Sequence, residues 1–213
     1  MKNFDHIMVD LETFDNIPTA AISSIGALAF DPYADWINGE VPDNVPVFYK
    51  NVDINSCIKA NMSVDGDTIQ WWMEQSDNAR KALYDPAPEK LSNVMWAFSK
   101  WVWDQREKKG KDPKTGRAIY KPYYIWSHGA TFDLPILTYA YKQVNKIQPW
   151  NFVNARDTRT LFHVAFNAKK GSYTDDSVKH NALDDAFTQV MWVQEAYQKL
   201  GLKREEKMKD KAA

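Results

Sequence analysis

The chain has 213 residues, a single cysteine and a formal net charge of −1 at neutral pH. This length fits one domain, and a composition of 44% hydrophobic and 26% charged residues is that of a globular protein. One cysteine excludes a disulfide within the chain and a cysteine-rich zinc site, and a net charge near zero excludes a global basic field that would attract nucleic acid.

The sequence carries no signal for a membrane or a secretory route. The apolar run near the N-terminus is too short and too acidic for a signal peptide. No other run approaches the ~18–20 apolar residues of a membrane helix. The lone Cys57 suits a reducing compartment. The sequence therefore predicts a cytoplasmic protein without a membrane partner, in a bacterium or in the host cytoplasm if the gene belongs to a phage.

The first half of the chain predicts an antiparallel meander followed by two helices. Short apolar segments separated by turn-forming residues are typical of such a meander, and they cover 5–12, 21–30 and 46–53. Residues 65–84 have apolar side chains at helical spacing, and Asp67 can cap this helix. Residues 89–105 form the next predicted helix, with one apolar stripe.

The segment 106–121 is strongly basic. It contains seven Lys or Arg residues and two acidic residues, a local net charge of +5. Its glycines and proline predict a loop inserted into the domain. Two interpretations stay open, a solvated surface loop and an arm that follows phosphates.

The second half alternates strands and helices. The predicted elements are a strand over 122–127, a helix over 131–145 capped by Thr131, a short strand over 151–155, a helix from Asp157 through 166, a loop over 171–179 and a long helix over 181–200. Together with the meander, this order predicts an α/β fold with a mixed sheet, first antiparallel and then parallel, flanked by helices. We expect a single domain over 1–202 and a flexible tail over 203–213.

The most informative motif is D-x-E in the first strand. Asp10 and Glu12 are two residues apart, so in a strand their side chains point the same way. Two carboxylates on one face of a buried strand repel each other and are costly to desolvate. A divalent cation is the simplest partner that would relieve both costs.

Three further residues could complete such a site. Asp133 lies in the first turn of its predicted helix, directly after a buried strand, although helix capping would also explain it there. His180 precedes the last long helix, and Asp185 lies near the start of that helix. Each of these features is weak alone, and their order along the chain is the informative observation.

That order resembles the DEDDh 3′–5′ exonucleases, a DnaQ-like group with the ribonuclease-H-like fold. Within it the sequence is most similar to phage DexA-type exodeoxyribonucleases and the related small mycobacterial 3′–5′ exoribonucleases. The shared phrases are DTIQWW (67–72), FDLPIL (132–137) and ARDTRTL (155–161). The sequence departs from many relatives in reading DLETF at the first motif, with Phe14 where they have a small residue.

The resemblance implies a phosphodiester hydrolase with two Mg²⁺ or Mn²⁺ ions. The implied catalytic residues are Asp10, Glu12, Asp133, His180 and Asp185, and the four carboxylates are the implied metal ligands. His180 would accept the proton of the attacking water. Carboxylate oxygens are the ligands that such hard cations prefer.

Four residues are predicted to bind the substrate. Thr13 and Phe14 directly follow the carboxylates and are expected beside the terminal nucleotide. Trp71 and Trp72 are expected to stack on a base, although core packing is the competing interpretation. Adjacent helical residues diverge by about 100°, so one tryptophan is expected in the core and the other at the surface.

The sequence thus predicts a 3′–5′ exonuclease that releases 5′-mononucleotides from single-stranded nucleic acid or 3′ overhangs, with DNA slightly favoured over RNA. The alternatives are an exoribonuclease of the same fold, a nucleic-acid-binding module without catalysis, and a phosphatase of small substrates. The expected partner is nucleic acid with a free 3′ end, and a homodimer is possible by analogy with relatives. His6, His128 and His163 are interpreted as structural.

Overall fold

A computed structural model describes residues 4–167 and 180–204. Its strands are β1 (His6–Thr13), β2 (Ile22–Phe30), β3 (Val47–Asn51), β4 (Lys108–Lys111), β5 (Ala118–Tyr120), β6 (Tyr124–Ser127) and β7 (Ala155–Asp157). Its α-helices are α1 (Ile54–Lys59), α2 (Gly66–Met73), α3 (Asp77–Ala82), α4 (Leu91–Asp104), α5 (Asp133–Gln143), α6 (Thr158–Phe166) and α7 (Ala182–Lys199). No helix within these described ranges is long and apolar enough to cross a membrane.

The main sheet has five strands in the order β3-β2-β1-β6-β7. Strands β1, β2 and β3 pair antiparallel, whereas β6 pairs parallel to β1 and β7 parallel to β6. The predicted mixed sheet, first antiparallel and then parallel, is confirmed. Strand β1 lies in the centre, so both of its edges are paired and its register is fixed from two sides.

Helices cover both faces of the sheet. Ile7, Val9 and Leu11 of β1 belong to a core cluster that includes the apolar stripes of α4 and α5. Met8 belongs instead to a second cluster with α6 and α7. Because side chains alternate along a strand, Asp10 shares the face of Met8 and points toward α7.

The helical region after β3 differs from the prediction of one helix over 65–84. It contains α2 and α3 as separate helices, and α1 precedes them where no helix was predicted. Asp65, rather than Asp67, caps α2 by accepting the backbone N–H of Thr68. Ser76 caps α3 in the same way through the N–H of Ala79, which starts a new helix instead of continuing α2.

The start of α5 also differs from its prediction. Phe132 occupies the N-cap position and makes no side-chain cap, so Thr131 is not the cap. The predicted strand over 151–155 begins later, because a 3₁₀ turn over Phe152–Asn154 precedes β7. Asp157 caps α6 as predicted, and it accepts the N–H groups of Arg159 and Thr160.

The basic segment 106–121 is a two-stranded antiparallel hairpin, not an irregular loop. Asp112 orders its tip by accepting the N–H groups of Lys114 and Thr115, and Gly116 supplies the left-handed residue (φ 68°). At its base Lys121 N donates to Glu107 O at 2.8 Å. The prediction recognised the turn residues but not the strand pairing beside them. The predicted loop over 171–179 and the tail beyond residue 204 lie outside the described residues.

Candidate active site

The two carboxylates of β1 lie on the sheet face that α7 covers. Glu12 is buried, with 7% of its surface exposed. Asp10 accepts a hydrogen bond of 2.6 Å from Nε2 of Gln189, a buried residue of α7. Helix α7 can approach this closely because Gly26 of β2, the partner of Asp10 in the sheet, has no side chain.

Asp133 reaches the same strand from α5. It is 2% exposed, and its Oδ1 accepts the backbone N–H of Leu11 at 3.1 Å. Leu11 lies between the two carboxylates of β1, so this bond fixes Asp133 beside them. A carboxylate in the first turn of a helix is also favoured by the helix dipole.

The start of α7 brings in the remaining two predicted residues. His180 has a left-handed backbone (φ 63°), and its N–H donates to Oδ2 of Asp185 at 3.2 Å. Asn181 caps the helix through Leu183 N and Asp184 N. One ligand atom from each of Glu12, His180 and Asp185 lies within 4.8 Å of the others. The structure therefore brings together all five predicted residues.

The electrostatics of this cluster are those of crowded, dehydrated carboxylates. Burial raises the pKa of Glu12 to about 9, with further increases from Asp185 and Asp133. Burial also raises the pKa of Asp10 well above its usual range, and the charges of Asp133, Glu12 and Asp185 add to this effect. Burial raises the pKa of Asp133 to about 7, although the hydrogen bonds that Asp133 accepts act to lower it. Without a cation, the cluster favours bound protons.

The donor set fits a divalent cation. Oε1 of Glu12 is buried and accepts no hydrogen bond from the residues that the structure describes. A buried carboxylate oxygen without a donor is costly, and a hard cation ligated by oxygen would satisfy it. The same cation would relieve the repulsion among the four carboxylates.

A groove of about 790 Å³ opens beside the carboxylates. Glu12, Thr13, Phe132, Trp71 and Trp72 are among its lining residues. Trp72 is buried and donates its Nε1–H to Thr13 O at 2.9 Å, whereas Trp71 is 42% exposed. The predicted division of this pair into one core and one surface residue is therefore observed. The Trp71 ring lies edge-on to the His180 ring, with 4.9 Å between the centroids.

Phe14 does not line this groove. Its ring packs against the core cluster on the side of α4 and α5. Its backbone bridges two segments, since its N–H donates to Ala21 O and its carbonyl accepts from Asp65 N. Of the four residues predicted to bind substrate, Thr13, Trp71 and Trp72 line the groove.

Other polar side chains of the chain have structural partners or lie near Asp133. Arg156 stacks on the Tyr124 ring and donates to backbone carbonyls, which is a structural role. The Arg159 guanidinium lies beside Gly129, and its charge lowers the pKa of Asp133. His6 is buried and its Nδ1 accepts from Trp126 Nε1, in keeping with a structural role. Gln189 was missed because a glutamine within an amphipathic helix gives no local signal.

Comparisons with known proteins identify the family of this chain. The sequence model of the Rv2179c-like 3′-5′ exoribonuclease domain matches residues 5–197. An exodeoxyribonuclease of Enterobacteria phage T4 is 26% identical over 223 residues, covering 91% of this chain and 88% of the phage protein.

Solved structures of nucleases share the fold. The cell-death related nuclease 4 (CRN-4) aligns with a TM-score of 0.58 at 15% identity, over 93% of this chain and 65% of that chain. The nuclease domain of 3′hExo, a DEDDh family member bound to rAMP, aligns with a TM-score of 0.53 at 16% identity, over 97% and 99% of the two chains. The ribonuclease domain of yeast Pop2 aligns with a TM-score of 0.53 at 13% identity, over 92% of this chain and 77% of the Pop2 chain. The family match spans nearly the whole chain, and the chain therefore belongs to the Rv2179c-like 3′-5′ exoribonuclease domain family and is a 3′–5′ exonuclease.

Proposed function

We propose that this exonuclease depends on two divalent metal ions and releases 5′-mononucleotides from single-stranded nucleic acid or 3′ overhangs. The observation that carries the proposal is the cluster of buried carboxylates around Glu12, whose Oε1 lacks a donor among the described residues. Asp10, Glu12, Asp133 and Asp185 would hold the ions, which are Mg²⁺ or Mn²⁺. Two such ions supply an activated water and stabilise the departing oxygen.

The reaction breaks the bond between phosphorus and the 3′ oxygen of the penultimate nucleotide. Water adds to that phosphorus, its oxygen stays on the released 5′-phosphate, and the 3′ oxygen leaves with the shortened strand. His180 accepts the proton of the attacking water, since imidazole can take up a proton near neutral pH. The edge-on rings of Trp71 and Trp72 orient the His180 ring.

The terminal nucleotide would lie in the groove beside Glu12 and Thr13. Trp71 is the exposed aromatic ring of that groove and is the proposed stacking surface for the base, whereas Trp72 supports the strand through Thr13. A base stacked on an aromatic ring gains about 1–3 kcal/mol.

We further propose that DNA is slightly favoured over RNA. The similarity to the phage exodeoxyribonuclease over 91% of the chain supports this preference. The name of the family supports the alternative, an exoribonuclease. Discrimination requires contacts to the 2′-hydroxyl of the bound nucleotide.

The test uses single-stranded DNA and RNA of the same sequence, labelled at the 3′-terminal nucleotide, each with Mg²⁺ or Mn²⁺. Asp10→Ala should abolish nucleotide release, and His180→Ala should reduce it by about 10²–10⁴-fold, because proton transfer contributes a factor of that order. His163→Ala is the matched control, since His163 is exposed on α6. DNA should be degraded faster than RNA by the unmodified chain.

Unchanged metal-dependent hydrolysis in both variants would overturn the assignment of these residues. Strand binding without hydrolysis by the unmodified chain would instead identify a module without catalysis. Activity on mononucleotides alone would identify a phosphatase.

A further inference from the structure

The basic hairpin lies at the opposite end of the sheet from the carboxylates. Its second strand leads through Lys121 into β6, and Tyr124 at the start of β6 pairs with His6 at the start of β1. Glu12 lies six residues further along β1, which corresponds to about 20 Å at ~3.3 Å per residue. The hairpin therefore cannot bind the same nucleotide as the groove beside Glu12.

The hairpin presents cations that are not neutralised locally. Five are exposed and form no ion pair with any residue that the structure describes: Lys108, Lys109, Lys111, Lys114 and Arg117. Its two carboxylates already have roles, since Glu107 pairs with Lys121 and Asp112 orders the tip. The positive field of this segment is thus available to an outside anion.

Aromatic rings continue this surface along α4. Trp96 and Trp103 lie seven residues apart on one helix face, 58% and 53% exposed, with Lys100 between them. Lys100 pairs with Asp104 of the same helix. Tyr120 adds a ring that is 40% exposed, with the Arg106 guanidinium over it. Exposed rings and exposed cations together are what a single strand of nucleic acid needs from a protein surface.

We propose that the outer face of α4 and the β4–β5 hairpin form a second binding surface, which holds the single strand upstream of the 3′ end being hydrolysed. This inference rests on the proposed function. The positive charge of the hairpin favours nucleic acid as the molecule that binds this surface. A second copy of the chain would place like-charged hairpins against each other, whereas a phosphate backbone neutralises them. The hairpin cations contact phosphates, and Trp96 and Trp103 stack on bases.

The separation of the two sites sets a length requirement. About 20 Å corresponds to about six nucleotides at the ~3.4 Å per nucleotide of a stacked strand. A stacked tetranucleotide, about 14 Å long, can fill the groove without reaching the hairpin. A 20-nucleotide strand can occupy both sites at once.

The test compares two variants of the full chain that lose the same number of cations. One carries Lys109→Ala, Lys111→Ala, Lys114→Ala and Arg117→Ala in the hairpin. The control carries Lys59→Ala, Lys81→Ala, Lys90→Ala and Lys203→Ala, all exposed and outside the hairpin. Hydrolysis of a 4-nucleotide and a 20-nucleotide single-stranded DNA is followed from 50 to 200 mM salt.

The hairpin variant should hydrolyse the 4-mer at the rate of the unmodified chain and show a KM for the 20-mer raised at least tenfold at 50 mM salt. Each lost phosphate contact removes about 0.7 from the slope of log KM against log salt, so that slope should fall by up to ~3. The control variant should have the same KM for the 20-mer as the unmodified chain and most of its slope of log KM against log salt. Trp103→Ala should raise the KM for the 20-mer alone, by several-fold.

Equal behaviour of hairpin and control variants on the 20-mer would overturn the second surface. A dimer of the unmodified chain in sedimentation velocity that dissociates in Trp103→Ala would also overturn it, by showing a subunit interface. Failure to hydrolyse the 4-mer with metal would refute the proposed function itself, so the two failures are distinguishable. The 4-mer rate also verifies that each variant is folded.

Discussion

At Asp10, the side-chain carboxamide of Gln189 fixes the orientation of the carboxylate. Gln189 Nε2 donates to Asp10 Oδ1 at 2.6 Å, and this bond opposes the rise in the pKa of Asp10 that burial and neighbouring charges cause. The other atom of the carboxamide, Oε1, is buried without a partner among the described residues. Gln189 therefore acts through Asp10, by holding one rotamer and favouring its ionised form.

Replacing this donor should weaken the proposed metal site without unfolding the chain. Gln189→Leu keeps an uncharged side chain of similar size but removes the hydrogen bond, and the expected loss of Mn²⁺ affinity is about 10–100-fold. Calorimetric titration with Mn²⁺ and the metal dependence of hydrolysis measure it. Gln198→Leu, at an exposed position of the same helix, is the control. Equal Mn²⁺ affinity in the two variants would contradict the role of Gln189.

The residues of the site differed in how far they could be predicted. Asp10 and Glu12 followed from the period of a strand, because both lie within one local segment. Gln189 could not be predicted, since its role depends on the register of α7 against β1, a contact between segments 179 residues apart. Phe14 was expected beside the substrate by its adjacency to Glu12, but β1 ends at Thr13 after a register shift between Glu12 and Thr13. The strand alternation that would place Phe14 on the face of Glu12 therefore stops before it, and its ring packs against the core cluster.

At the scale of elements, the contact between β2 and α7 positions the end of the helix near His180 and Asp185. A Cβ at Gly26 would lie 2.2 Å from the carbonyl carbon of Ala182 and 2.3 Å from Leu183 N. Both atoms belong to the backbone of the first turn of α7, which cannot move without moving His180 and Asp185. The absence of a side chain at Gly26 therefore allows the start of α7 to lie close to the sheet, which brings His180 and Asp185 near the carboxylates of β1.

Gly26→Ala should separate α7 from the sheet. Overpacking of this kind costs about 1–3 kcal/mol of stability. A displacement of catalytic groups by ~1 Å can reduce activity about 10²-fold. Thermal unfolding and kcat/KM on a short oligonucleotide measure the two effects. Gly66→Ala is the control, because a Cβ there meets no atom within 4 Å. Activity of Gly26→Ala equal to that of the control would contradict this account.

The errors in predicted elements have local causes. The helix expected over 65–84 is two helices, because Ser76 offers a cap that competes with continuation of α2. The hairpin was read as a loop since lysines and glycines have low strand propensity. Its pairing is set by the Asp112 turn and by Lys121 N donating to Glu107 O. Long periodic helices such as α4 and α7 were predicted within a few residues.

At the scale of the whole molecule, the carboxylate cluster links folding to pH. The pKa of Glu12 is about 9 in the folded chain against an ordinary value of 4.5. Between these values the folded chain keeps a proton that the unfolded chain has released. The free energy of unfolding of the metal-free protein therefore falls as the pH rises through this window.

The measurement is urea unfolding in EDTA between pH 7 and 8.5. This window avoids His6, whose pKa burial lowers to about 3, so that its effect is confined to pH values below about 6.5. We expect stability to fall across the window, Glu12→Gln to make this fall shallower, and Mn²⁺ to restore stability at pH 8.5. Metal-free stability that rises from pH 7 to 8.5 would contradict this linkage.

The hairpin begins and ends at one place, because Lys121 N donates to Glu107 O at its base. The chain thus leaves α4 and returns toward β6 with no change in the register of the main sheet. In evolutionary terms this segment is a unit that one insertion or deletion in the gene could add or remove. If the hairpin holds the strand as proposed, selection could then adjust how long a strand is retained while leaving the carboxylates of β1, α5 and α7 unaltered.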